Sequence, residues 1–156
     1  MNYRTAGIDD IEALIKMRIT YLIEDYGSLT EEQLSSLGRQ LPQYFEEHLG
    51  QDLIVFVAEE NGRIVSTDFL LIQSKPANPS FMTGKTGTIL NVITDVGHRR
   101  QGIAGRLMRM AIDEADHHDL SYLELKSTDM GKSLYESLGF EQQISSYTPM
   151  IYKFKK

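Results

Sequence analysis

DVGHRRQGIAGRLMRM, residues 95–110, runs out of an apolar stretch, passes Gly97, Arg99, Arg100 and Gly102, and becomes helical. A strand ending near Asp95, a turn, and a helix starting about Gly102 would aim several unpaired backbone N–H groups into one concavity. The positive end of the helix dipole points the same way. Gly102 has no Cβ, so an anion's oxygen can approach the main chain closely, while Arg99 and Arg100 supply charge around it. The competing reading is a glycine-containing turn with two solvated arginines. On the residues alone both stand, because a helix N-terminus is only a potential anion site.

The elements on either side frame this turn. After a short strand at Asn2 to Thr5, Ile11, Leu14, Ile15, Met17, Ile19 and Leu22 recur at mostly helical spacing, with Asp9 or Asp10 placed to cap. A second helix begins at Thr30, where Thr30 and Gln33 have capping-box spacing. Leu34, Leu37, Leu41, Phe45 and Leu49 follow on one face, and Gly38 and Pro42 are candidate bends. DLIVFVAEENGRIVSTDFLLIQ reads as two antiparallel strands around Asn61-Gly62, a dipeptide that accepts the positive φ angles of a type I′ turn. Residues 74–87 read as a loop, TILNVIT as a buried strand, Gly102 to about His118 as a helix, SYLELKS as a strand and GKSLYESLGF as a short helix with Gly139 at its C-terminal cap. Two last strands are expected between Phe140 and Phe154. The pattern predicts one mixed α/β domain over residues 1–156, without repeat or linker.

Two other phosphate motifs fail on spacing. TGKTG at 83–87 ends like a P-loop, but the glycine required five residues before Gly84 is Pro79, and no helix pattern follows Thr86. Gly97, Gly102 and Gly105 do not fit G-x-G-x-x-G.

Composition narrows the chemistry. With 16 Lys+Arg against 22 Asp+Glu the net charge is −6, which disfavours non-specific attraction to nucleic acid or an anionic membrane, so neither is an expected partner. There is no cysteine, hence no disulfide framework and no thiol to carry an acyl group. MNYRTAGIDD lacks the apolar core of a signal peptide and no apolar run approaches the length of a membrane span, so a cytoplasmic protein is expected. DEADHHD at 113–119 suggests metal ligands but reads as the wet end of a helix, because adjacent His117 and His118 cannot share a face. No metal is expected.

Arg99-Arg100-Gln101-Gly102-Ile103-Ala104 matches R-x-x-G-x-A, and in this respect the chain resembles the GCN5-related N-acetyltransferases, the GNAT family, whose pyrophosphate-binding signature this is. LYESLGF at 134–140 resembles that family's second hallmark, a helix carrying a tyrosine and ending in Gly-Phe, and the order of elements agrees along nearly the whole chain. The resemblance implies a GNAT-like fold: a mixed, largely antiparallel sheet, helices on both faces and a splayed strand pair. It also implies transfer of an acetyl group from acetyl-coenzyme A to a primary amine by direct attack in a ternary complex. An acyl-coenzyme A sensor without turnover is the alternative, and a nucleic-acid protein using Arg99, Arg100, Arg106 and Arg109 a distant third.

The family's site is expected residue by residue. Val92, Ile93 and Thr94 match the strand that pairs with pantetheine, and the amides of Arg99, Arg100, Gln101, Gly102, Ile103, Ala104 and Gly105 match the pyrophosphate cradle. Thr128 stands where many members have asparagine, and Val96 where they often have proline. On spacing alone Tyr135, beside Leu134, Leu138 and Phe140, reads as a packing residue more readily than a catalyst; the resemblance implies that it is the acid that protonates the leaving thiolate. Some relatives place a glutamate where this chain has Thr88, so the base is expected to be a carboxylate reached through water, unassigned. Glu24, Asp25 and Tyr26, with Asn91 on the strand, are candidates to line the acceptor site; the plainer reading of the carboxylates is a solvated helix surface. Exposed C-terminal strands in such folds often pair between copies, so a homodimer is among the expectations, though the sequence does not settle the oligomeric state.

Overall fold

In the computed structural model, which describes residues 1–156, Asn61 and Gly62 take φ of 51° and 76°. They close the type I′ turn that their sequence predicts, joining β2 (Leu53–Glu60) to β3 (Arg63–Ser74). Around this hairpin lie β1 (Asn2–Thr5), β4 (Lys85–Thr94) and β5 (Leu123–Glu124), in the spatial order β1-β2-β3-β4-β5. The first four are antiparallel neighbours, and β5 joins β4 in parallel. The chain divides into two compact units, Met1–Lys126 and Ser127–Lys156.

In the first unit, α1 (Ile11–Tyr26) and α2 (Glu31–His48) cover one face of the sheet. Leu14, Met17, Leu41 and Phe45 pack there against Leu53, Val55, Val57, Phe69 and Ile93. Strand alternation sends Phe56 and Leu70 to the opposite face, which α3 (Ile103–His117) covers with buried Leu107, Met108 and Ala111. The capping box of α2 forms in both directions: Gln33 N–H donates to Thr30 Oγ1 at 3.1 Å, and Thr30 N–H to Gln33 Oε1 at 2.9 Å. The helix runs unbroken through Gly38 and Pro42. Asp10 does not cap α1 with its side chain. Its carboxylate instead accepts from Gly7 N–H and from Arg4, which also reaches Glu59, and so pins β1 to β2 and the turn before α1.

The second unit holds α4 (Lys132–Ser137), with Gly139 beyond its end at φ 94°. Residues 138–156 contain no strand, which corrects the two expected there. Ile144, Tyr147, Met150, Ile151, Tyr152 and Phe154 are exposed and do not alternate cleanly. Such a segment has neither the face pattern nor the ladder partner that fixes a strand. The strand expected at 121–127 is likewise only two residues long.

Candidate functional site

A break in the β3/β4 ladder shapes the site. Thr67 is registered with Ile93 and Phe69 with Leu90, so Asn91 and Val92 together oppose Asp68. This is a β-bulge, and Asn91 absorbs it at φ 52°, a value asparagine tolerates better than most residues. Asn91 is only 2% exposed: its backbone oxygen accepts from Thr67 Oγ1, and its Nδ2 donates back to Thr67 Oγ1, both at 3.1 Å. β5 pairs only with Gly87 and Thr88, so past Thr88 no strand of the sheet flanks the outer edge of β4. Gly87 permits even this contact, since a Cβ there would lie 2.5 Å from Leu123 Cδ2 and 2.8 Å from Leu70 Cδ1. Val92, Ile93 and Thr94 therefore lie on the splayed length of β4. Ile93 O and Thr94 Oγ1 both bond Ser66 Oγ.

At the end of β4 the chain makes a 3₁₀ turn over Val96–His98 and enters α3. Arg100 and Gly102 have φ of 63° and 77°, and Gly102, the residue before α3, has open space where a Cβ would stand. The amides of residues 100–105 donate to no acceptor in the protein; the first bond into the helix is Arg106 N–H to Gly102 O at 3.1 Å. Six unspent N–H groups in a turn with left-handed residues, at the positive end of a 15-residue helix, make a nest for an anion. Arg100 is exposed beside it, while Gln101 reaches back to Gly97 O at 3.3 Å. Arg99 turns elsewhere: Nε donates to Thr94 O at 2.8 Å, and Nη2 pairs with both carboxylate oxygens of Glu24 at 2.7 and 2.9 Å.

The α1/α2 face carries a second set of polar groups. Phe69 and Leu71 point to that face, so their register partners Leu90 and Thr88 do also, as does Glu124, which pairs with Thr88. Thr88 Oγ1 is 3.1 Å from Gln73 Oε1 and 3.5 Å from Glu124 Oε1. Glu124 is exposed, the one carboxylate on this stretch of strand, and sequence reading missed it. Its only signal was a charge between Leu123 and Leu125. Arg18 of α1, also missed, donates to Asn91 Oδ1 at 3.3 Å across 73 positions of sequence. Asp25 and Tyr26 are exposed at the end of α1.

Asp68 sits opposite the bulge. Its register partner Phe56 puts it on the α3 face, where it is wholly buried with neither oxygen hydrogen-bonded. Burial pushes its carboxyl up to about 8 from an ordinary 3.8. The folded state thus keeps this proton to higher pH than the unfolded chain does. The associated stability is full below the unfolded value and lost as pH rises through the folded one, at up to about 1.4 kcal/mol per pH unit. Asp68→Asn has no charge to bury. Urea melts should show its stability relative to wild type rising from about pH 4 to about pH 8 and levelling above, the window set by the two values. A difference independent of pH would contradict this.

Within the second unit, Thr128 Oγ1 accepts from Gly131 N–H at 3.3 Å and its carbonyl from Lys132 N–H, so it starts the turn into α4. The half-buried Tyr135 ring meets Phe140 edge to face, with centroids 6.0 Å apart.

A family model described as an acetyltransferase (GNAT) domain matches residues 51–142. The chain is similar to a predicted acetyltransferase with acetyl-coenzyme A from Clostridium acetobutylicum, at 28% identity and a TM-score of 0.83 over 96% of this chain and 95% of that one. It is also similar to a GCN5-related N-acetyltransferase from Ralstonia eutropha, at 25% identity and a TM-score of 0.78 over 96% and 97%. A glucosamine-6-phosphate N-acetyltransferase from Arabidopsis thaliana shares the fold at 20% identity and a TM-score of 0.68 over 97% and 98%. No curated protein matches the sequence.

Proposed function

The chain belongs to the GCN5-related N-acetyltransferase family and is an acetyl-coenzyme A-dependent N-acetyltransferase, and from that premise we propose that it acetylates a primary amine by direct attack in a ternary complex. The observation that carries this reading is the set of unspent amides from residue 100 to 105 after a splayed β4. The pyrophosphate of acetyl-coenzyme A takes those N–H groups, Arg100 adds charge, and Val92, Ile93 and Thr94 run beside the pantetheine arm. Arg99 serves the loop indirectly, by fixing Thr94 O and Glu24. Both units act as one domain in this reading, supported by similarity that spans 96% of the chain.

An alkylamine with a pKa near ~10 arrives protonated at pH 7 and must lose that proton before it attacks. Glu124 takes it through water. The nitrogen then bonds to the thioester carbonyl carbon, the carbon–sulfur bond breaks and Tyr135 gives its phenolic proton to the departing thiolate; the nitrogen sheds its second proton, which returns through water to the phenolate, leaving a neutral amide, free coenzyme A and a restored tyrosine. No helix of the protein is long and apolar enough to cross a membrane, in keeping with the cytoplasmic location we infer. The homodimer expected from paired C-terminal strands loses that support, because residues 138–156 form no strand.

Two measurements test the reading. Acetyl-coenzyme A with a panel of amines should release free thiol and yield an N-acetyl product by mass spectrometry; binding without turnover on any amine would make the protein a sensor. Glu124→Gln should slow the reaction about 10²-fold at pH 7, the lower end of the usual contribution of a general base. It should recover towards wild type as pH approaches the pKa of the amine, where free base no longer needs an acceptor for its proton. Equal slowing at every pH would remove Glu124 from that role.

A further inference from the structure

Three arginines are half-buried: Arg4, Arg18 and Arg99. Arg4 pairs with Asp10 and Glu59, and Arg99 with Glu24. Arg18 pairs with no carboxylate, in a chain whose net charge is −6. Its one hydrogen bond runs to Asn91 Oδ1, and its guanidinium carbon lies 5.7 Å from the centre of the Tyr21 ring. Asn91 is itself locked on both sides by Thr67. The guanidinium is therefore held at the β4 bulge with most of its donors unspent. Half-burial removes water that would otherwise solvate the charge, a cost normally offset by a counter-ion.

The surroundings supply donors, and although Asp25 and Asp52 lie near Tyr21 and Tyr44, neither forms an ion pair with Arg18. Tyr21 and Tyr44 both lie close enough to feel the charge of Arg18, and burial pushes both phenols above their usual range, so each is a neutral O–H donor at pH 7. Asp25 faces Tyr21 and, with Glu124 on β5, is a carboxylate available to an ammonium group on the α1/α2 side. Glu24, which would have favoured a polycation, is already paired with Arg99.

Resting on the transferase reading above, we propose that the acceptor is a small amine carrying its own anionic group, a carboxylate or a phosphate, which Arg18 holds beside the bulge. A polyamine would place positive charge against an uncompensated guanidinium. An amine with an adjoining anion supplies the missing counter-ion and leaves its ammonium to Asp25 and Glu124.

The binding test needs no acetyl transfer. Saturation-transfer NMR on the protein alone, with pooled amino acids, aminosugar phosphates and polyamines, should show signal from anionic amines. That signal should fall at least about tenfold in Arg18→Gln, the loss of one charge-assisted bond of roughly 1.5–3 kcal/mol, and persist in part in Arg18→Lys. Response from amino acids alone identifies a carboxylate and from aminosugar phosphates alone a phosphate; either supports the assignment. In kinetics, Arg18→Gln should raise KM for the amine by about 10-fold or more and leave that for acetyl-coenzyme A unchanged. Signal from polyamines only, no signal from any amine, or anionic binding equal in wild type and Arg18→Gln would overturn it. So would a joint fall of melting temperature and acetyl-coenzyme A affinity, which would make Arg18 a strut for the bulge. Anionic amines that bind through Arg18 without turnover would count against the transferase reading alone.

Discussion

Gly102→Glu is expected to abolish measurable acetyl-coenzyme A binding and leave the fold standing. The substitution brings a carboxylate to the amides that the pyrophosphate needs and replaces attraction by repulsion. Loss of even two charge-assisted hydrogen bonds, at roughly 1.5–3 kcal/mol each, weakens binding by at least about 10²-fold. The fold should tolerate the change because a Cβ at Gly102 meets nothing within 4 Å. The cost inside the protein is the φ of 77°, about 1–2 kcal/mol for a side chain in the left-handed region. In a chain of this size that lowers the melting temperature by several degrees, about 2–4 °C per kcal/mol. Gly102→Ala carries the same strain without the charge, so calorimetric titration of both variants separates backbone strain from the site. Wild-type affinity in Gly102→Glu would remove this loop from cofactor binding.

Tyr135→Phe is expected to lower kcat by about 10²–10⁴-fold, the usual contribution of a general acid, with coenzyme A affinity close to wild type. The variant keeps the ring and its edge-to-face contact with Phe140, so a tyrosine that only packs would pass the test with little change. The effect should fall on kcat because the proton is needed chiefly as the carbon–sulfur bond breaks, after both substrates are bound. Steady-state kinetics on an active amine, paired with a coenzyme A titration, reads both numbers. A kcat within about threefold of wild type, with product release shown not to limit either enzyme, would return Tyr135 to the core.

What the sequence made legible is local. The capping box of α2 is three residues apart, the Asn61-Gly62 turn is a dipeptide, and the turn into α3 spans eight positions, so each is decided by neighbours whose chemistry can be read in a row. What it hid is long-range. Nothing near Glu24 announces Arg99, 75 positions away, and the pairing changes the roles expected of both. Arg18 looks like any polar position on α1 until the fold sets it against Asn91. A bulge in this strand is implied by the family resemblance, but its place at Asn91 had no signal beyond asparagine's tolerance of positive φ. The reverse error occurred in the tail, where apolar residues alone suggested strands and no partner strand forms with them.

The central claim is that the amides opening α3 bind the pyrophosphate of acetyl-coenzyme A, and amide-resolved NMR reads those groups directly. On titration of the ¹⁵N-labelled chain with coenzyme A, the account predicts saturable shifts that are largest for Gly102, Ile103, Ala104 and Gly105, with Gln101 close behind. Saturation that moves amides elsewhere and leaves residues 101–105 in place, or no saturation at millimolar ligand with the protein folded, would contradict it.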